Sequence, residues 1–245
     1  MNFNDLKSGY AFKVFGLTEQ QIVAHVNSVL DERLAGLLDV SVDCLDGRIA
    51  ISDAATLQEK RDIIYHLFSR LAPYVYSEIN EELSYRALRL LTQRGVRLGV
   101  AESLTGGLLV AEIIRHPGAS KVVSEGIVAY SNEAKQLRLD VYPDILNSFG
   151  AVSAETAAAM VNGLLSRPYN DVAISTTGFA DATDVYTPAG LVYVGVGSSD
   201  RVEVHKYNFE GTRDEVRRCA VNAGLFQLVK LLKGDFHPED YQENN

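Results

Sequence analysis

The sequence predicts an α/β protein, a helix-covered mixed sheet preceded by a smaller α+β domain. Three observations carry that prediction. From residue 96 to 209, apolar runs of strand length first alternate with helical patterns and then cluster, the order of a mixed sheet covered by helices. Residues 10–79 complete a β-α-β-β-α order of their own, enough for a two-layer domain with a modest core. Of 245 residues, 47% are hydrophobic and 22% charged, which is globular composition with material for one or two cores.

In the first domain, residues 11–16 (AFKVFG) read as a short strand. Thr18 is placed to cap a helix whose Ile22, Val26, Val29 and Leu30 share one face. Two alternating runs, 40–44 and 48–52, flank Leu45-Asp46-Gly47, and Asp-Gly between such runs predicts a hairpin turn there. A second amphipathic helix is expected from Ala55 to Leu71, with Leu57, Ile63, Ile64, Leu67 and Leu71 inward, ending before Pro73. The boundary falls near residues 77–80, where this pattern is complete.

The second domain, 80–233, opens with Asn80 as a predicted N-cap, Glu81 and Glu82 in the first turn, and Leu83, Ala87, Leu90 and Leu91 on one face. Gly95 ends that helix at the position where left-handed backbone is cheap for glycine. A buried strand at 96–101, a helix at 108–115 closed by Pro117-Gly118 and a strand at 122–130 follow. Helices are predicted at 132–139 and, behind Ser153, at 154–166; strands at 171–177, 190–197 and 201–209; and a last helix from about Arg213 to Leu232. The polar, acidic stretch 234–245 has no periodicity and reads as a disordered tail.

Charge and composition narrow the function. With 23 Lys and Arg against 32 Asp and Glu, the net charge of −9 argues against binding nucleic acid or an anionic membrane surface, although a local basic pocket is compatible with it. Cys44 and Cys219 are far apart with no second ligand beside either, and the five histidines form no H-x-x-x-H pair or HExxH, so neither a disulfide framework nor a metal site is expected. The first ten residues lack the apolar stretch of a signal peptide and no uncharged run approaches about 18 residues, so a cytoplasmic protein is expected.

Four stretches could carry chemistry. In Gly99-Val-Ala-Glu-Ser-Leu-Thr-Gly-Gly-Leu-Leu a buried strand runs through Ser103, Thr105, Gly106 and Gly107 into a helix, putting a hydroxyl at the carboxyl edge of a sheet beside helix N-terminal amides. On pattern alone, Ser103 or Thr105 could equally serve only as a cap. In Val128-Ala-Tyr-Ser-Asn-Glu-Ala-Lys, Tyr130 ends a strand and Lys135 enters the next helix, where the helix dipole and any burial lower a lysine pKa toward that of a base for a serine. Taken alone, this segment reads more readily as a solvated surface Lys135 with Tyr130 packing at an interface. Third, Arg213, Arg217 and Arg218 fall in two turns behind Thr212, a set that could hold phosphate or carboxylate or simply pair with Asp214 and Glu215. Fourth, Ser175 to Gly190 passes from strand to loop through Thr177 and Gly178 and could line the same edge, but Asp181 and Asp184 suit a phosphate poorly.

Taken together, Ala101-Glu-Ser-Leu-Thr-Gly-Gly, Val128-Ala-Tyr-Ser-Asn-Glu-Ala-Lys, Gly150-Ala-Val-Ser, Thr177-Gly and Gly211-Thr-Arg-Asp-Glu-Val-Arg, in this order, resemble the CinA C-terminal domain, the nicotinamide mononucleotide deamidase family, over about residues 80–233. Residues 10–79 resemble the KH-like middle domain that precedes this module in full-length CinA proteins, but contain no G-x-x-G loop with which a KH domain clamps RNA. The nucleotide-pyrophosphatase domain that comes first in those proteins has no counterpart in these residues.

The resemblance implies hydrolysis of the carboxamide of nicotinamide mononucleotide to nicotinic acid mononucleotide and ammonia, in pyridine-nucleotide salvage, by a homo-oligomer that needs no metal or cofactor. It implies Ser103 as nucleophile, Lys135 as its base and Tyr130 as an assisting hydroxyl. Arg213 and Arg217 would hold substrate together with Thr105, Gly106, Gly107, Thr177 and Gly178, the amides near Thr105–Gly107 steadying the oxyanion.

Two departures stand out. Leu104 occupies the position of a usual cysteine. The usual Gly-Ile-Ala-Gly-Pro loop and its Lys-Pro-Val-Gly are replaced by Gly178-Phe-Ala-Asp-Ala and Thr187-Pro-Ala-Gly, which removes glycines and adds the charge of Asp181. A catalytically weakened member acting as a nucleotide-binding or assembly protein is therefore the alternative to an amidohydrolase.

Overall fold

The structure, a computed structural model, describes residues 9–181 and 188–233. Asp184, Thr187 and the expected tail at 234–245 lie outside the described residues. The chain divides into two compact units between Glu82 and Leu83, the second running to Leu232.

The first unit is a four-stranded antiparallel sheet in the order β2-β3-β1-β4, with helices packed against it. Its elements are β1 (Ala11–Phe15), α1 (Glu19–Val29), α2 (Glu32–Ala35), β2 (Leu38–Asp43), β3 (Asp46–Ile51), α3 (Leu57–Leu71) and β4 (Val75–Ser77). Capping boxes start the two long helices, Thr18 with Gln21 and Thr56 with Glu59. Ile22 and Val26 of α1 and Ile63, Ile64, Leu67 and Leu71 of α3 close over Phe12, Val14 and Ile49 of the sheet. Leu57, expected inward, is the first residue of α3 and is half exposed.

Two sequence expectations are corrected here. The hairpin turn is Cys44-Leu45, both with positive φ (47° and 61°), while Asp46-Gly47 begins β3 opposite Asp43 and Val42. Packing decides this: a Cβ on Gly47 would lie 2.7 Å from Val14 Cγ2 and 2.8 Å from Ile22 Cδ1, so the glycine is needed against the core. Two short elements escape the pattern, α2 with its single turn and β4 with three buried residues too few to show a period. Asn80 does not cap a helix, since the next one starts at Leu83; Glu81 instead accepts from the Ser77 hydroxyl at 2.7 Å, and its N–H bonds the Ile79 carbonyl in a tight turn.

The second unit contains α4 (Leu83–Arg94), β5 (Leu98–Glu102), α5 (Leu108–Ile114), a 3₁₀ turn at Ala119–Lys121, β6 (Val123–Val128), α6 (Asn132–Leu139) and α7 (Pro143–Phe149). It continues with α8 (Ala154–Leu165), β7 (Val172–Gly178), β8 (Leu191–Ser198), β9 (Val202–Asn208) and α9 (Arg213–Lys233). Helix α4 stops in a Schellman motif: Gly95 has φ 64°, its N–H bonds Thr92 and the Val96 N–H bonds Leu91. Helix α7 was not expected, because its seven residues bury only Leu146, although Pro143 at its start and Gly150 at its end mark it.

The sheet order is β6-β5-β7-β8-β9, with β5 parallel to β6 and β7, and β8 and β9 added antiparallel. Alternation along β7 assigns its two faces. The Ile174 side chain lies against Gly224 of α9, while the Ser175 hydroxyl donates to the Ala157 carbonyl of α8 at 2.8 Å. Both faces are thus helix-covered, and β5 is buried along its whole length. The carboxyl ends of β5, β6 and β7 share one edge, which places Ser103, Tyr130 and Phe179 together with the end of β9 that leads to Arg213. Among the described residues no helix is long and apolar enough to cross a membrane.

Close packing of α8 on α6 holds the lysine-bearing helix in place. A Cβ on Gly163 would lie 1.8 Å from the Leu139 carbonyl oxygen. Gly163→Ala is expected to lower unfolding free energy by about 1–3 kcal/mol or more, measured by urea denaturation. A neutral result would mean that the two helices do not meet at this glycine.

Candidate active site

Ser103 follows the last residue of β5 and is tied to β7 by its N–H, which bonds the Thr176 carbonyl at 2.9 Å. Lys135 rises from the first turn of α6, whose cap is the Ser131 hydroxyl accepting from Ala134. Burial distinguishes this lysine: its residue is 1% exposed, which excludes the solvated surface reading. Its Nζ lies 3.1 Å from Ser103 Oγ, 2.9 Å from the Ala129 carbonyl oxygen and 3.4 Å from that of Tyr130. No carboxylate pairs with it among the described residues, and burial pushes its pKa down to about 8.

Glu102, beside the serine, is a site residue that the sequence pattern does not single out. It is fully buried, and its carboxylate accepts from the N–H groups of Gly107 (2.9 Å), Leu109 (3.0 Å) and Val110 (2.9 Å). The carboxylate thereby caps α5, whose N-cap Gly107 has no side chain to do so and sits at φ 98°. A signal was available: the helix opens with two glycines and no Ser, Thr, Asp or Asn cap, and a glutamate stands just before the turn.

This changes the expected oxyanion donors. The Gly107 amide is committed to Glu102, and the Gly106 amide closes a turn on the Ser103 carbonyl at 3.2 Å. The amides of Leu104 and Thr105 have no acceptor among the described residues.

Several predicted contact residues turn inward to the fold. Thr105 Oγ1 and Thr176 Oγ1 share a buried hydrogen bond of 2.7 Å, and the Thr177 hydroxyl donates to the Ala151 carbonyl at 2.6 Å. Gly178 pairs with Val192, and a Cβ there would lie 2.6 Å from the Leu191 carbonyl oxygen. These groups hold the edge together, and the three threonines are fully buried.

Arg217 likewise serves the turn. Its Nε donates to the Leu104 carbonyl at 3.0 Å and a terminal nitrogen to that of Thr105 at 3.2 Å, while the other meets Asp214 at 3.1 Å. Arg213 is half exposed, pairs with Asp181 at 2.6 Å and donates to the Tyr130 hydroxyl at 3.2 Å. Tyr130 is 63% exposed; its backbone carbonyl, rather than its phenol, meets Lys135. Thr212 and Glu215 form a reciprocal cap at the start of α9. The described residues contain no group of three or more candidate metal ligands.

Comparison with known proteins agrees with this architecture. The model of the CinA C-terminal domain matches residues 80–232, well over half of the chain. The chain belongs to the CinA C-terminal domain family. A protein of Acetivibrio thermocellus is 35% identical over 238 residues, which cover 91% of this chain and 57% of that protein. A CinA-like protein of a Geobacter species is 36% identical over 226 residues, 90% of this chain and 54% of its own. The chain thus spans little more than half the length of these curated relatives. Among solved structures, the competence/damage inducible protein CihA of Agrobacterium tumefaciens superposes with a TM-score of 0.59 at 33% identity, covering 62% of this chain and 94% of that one.

The buried lysine makes stability pH-dependent with a defined sign. Below about pH 8 both folded and unfolded chains carry its proton, and burying the charge costs the fold on the order of 3 kcal/mol, the shift from 10.5 to about 8 expressed as energy. Between about 8 and 10.5 the unfolded chain binds more protons, so this cost falls as pH rises. Lys135→Met should therefore be more stable than wild type at pH 7, with an advantage that shrinks toward pH 10 in paired urea titrations. An advantage independent of pH would show that the buried amine does not titrate in this range.

Proposed function

We propose that this protein is an amidohydrolase that converts nicotinamide mononucleotide, or a close relative with the same carboxamide, to the acid and ammonia as a step of pyridine-nucleotide salvage. The observation that supports it most is the Ser103–Lys135 contact of 3.1 Å around an amine whose pKa is lowered to about 8. A neutral Nζ has two N–H bonds and one lone pair. With the N–H groups directed to the carbonyls of Ala129 and Tyr130, the lone pair is left for the Ser103 proton.

In this mechanism Ser103 Oγ attacks the amide carbon and its proton passes to Lys135. The carbonyl becomes an oxyanion, for which the Leu104 and Thr105 amides are the uncommitted donors of the turn. Lys135 then protonates the leaving nitrogen, ammonia departs, and an ester on Ser103 remains. Water, deprotonated by the same lysine, attacks the ester and releases the carboxylic acid, which ionises, while the serine regains its proton. Arg217 contributes by fixing the turn through the Leu104 and Thr105 carbonyls, and Arg213 at the mouth is the group for a substrate anion.

Ammonia release from the mononucleotide by purified protein is the direct test. Ser103→Ala should lower kcat by roughly 10³-fold or more, and kcat/KM should rise with pH through a midpoint near 8 as Lys135 loses its proton. Binding of the mononucleotide with no turnover would support the alternative, a weakened member that acts as a nucleotide-binding or assembly protein.

Arg217→Lys keeps the charge but loses the fork that spans two carbonyls. It is expected to lower kcat about ten- to a hundredfold through misplacement of Ser103, with little change in KM. A rise in KM at constant kcat would instead make Arg217 a substrate contact.

A further inference from the structure

A phosphate at this edge would need donors that are not already taken, and the described cations there are engaged. Lys135 is buried against Ser103 and two carbonyls. Arg217 spends its donors on Leu104, Thr105 and Asp214. Arg218 lies within electrostatic reach of Glu215. Arg213 is the cation presented at the mouth, and Asp181 holds it at 2.6 Å while both side chains remain about half exposed. Asp181 therefore stands where a ligand phosphate would otherwise meet Arg213, and a phosphate arriving there must displace a carboxylate or sit beside it.

The same carboxylate has the opposite effect on the other charge such a ligand carries. A nicotinamide nucleoside is a pyridinium cation, and without its phosphate it has nothing for Asp181 to repel. We infer that Asp181 is a specificity residue that fills the anion position of Arg213 and selects a pyridinium carboxamide lacking the phosphate over the phosphorylated form. This inference rests on the amidohydrolase reading and narrows its substrate class from nucleotide toward nucleoside. An exposed ion pair is weak, so the discrimination is modest: removing the carboxylate should change relative specificity about five- to tenfold.

The experiment compares kcat/KM for nicotinamide mononucleotide and nicotinamide riboside at low ionic strength in wild type, Asp181→Asn, and Asp181→Asn combined with Arg213→Gln. The mononucleotide-to-riboside ratio should rise about five- to tenfold in the single variant, return toward the wild-type value in the double variant, and lose its sensitivity at high salt. A ratio unchanged by Asp181→Asn overturns the inference, and so does a wild type whose kcat/KM is higher for the mononucleotide than for the riboside.

Hydrolysis of neither compound by any of the three proteins would overturn the amidohydrolase reading, and calorimetric titration with inorganic phosphate then decides the role of Asp181. The single variant should bind phosphate at least about fivefold more tightly than wild type and than the double variant. Equal phosphate affinity in all three overturns the assignment independently of any activity.

Discussion

An amine held almost out of water without a counter-charge constrains everything around it in the second unit. Lys135 avoids the full penalty of a buried ammonium by offering its protons to the Ala129 and Tyr130 carbonyls and to Ser103 Oγ, and by holding its proton less tightly than an exposed lysine. Those acceptors come from two strand ends, so β5 and β6 must finish level with each other and α6 must start immediately after its strand. The parallel pairing of β5 with β6, Glu102 opposite Val128, meets that requirement.

Holding the serine in place takes a second set of interactions that never touch Lys135. Glu102 satisfies three amides of α5, the Ser103 N–H is fixed on β7, and Arg217 reaches from α9 to the carbonyls of the next two residues. A hydroxyl between a buried carboxylate cap and a forked guanidinium has little freedom, which is what a near-attack arrangement requires. The helix N-terminus beside the serine consequently serves an internal carboxylate, and its anion-binding capacity is already used.

At the mouth the electrostatics follow the composition of the chain. An acidic protein places Asp181 and Asp214 against Arg213 and Arg217, so the small basic cluster at the start of α9 is neutralised locally. At the end of the β7 strand-to-loop passage, Asp181 binds the guanidinium of Arg213.

Local rules made much of this legible from the sequence alone. Caps at Thr18 and Ser153, the Gly95 stop and the periodic faces of the helices depend on neighbours within a few residues, as do the strand-to-helix turns that single out Ser103 and Lys135. Short elements such as α2, β4 and α7 do not run long enough to show a period. The Asp46-Gly47 pair is a misleading turn signal because its turn preference is local, whereas its glycine answers to Val14 and Ile22 across the core. Tertiary structure alone decided that Lys135 is buried, that Glu102 caps α5, that Arg217 grips Leu104 and Thr105 more than a hundred positions away, and that Asp181 takes Arg213. Sheet order and helix packing create those partnerships, and residues so far apart in sequence carry no local spacing from which their contact could be read.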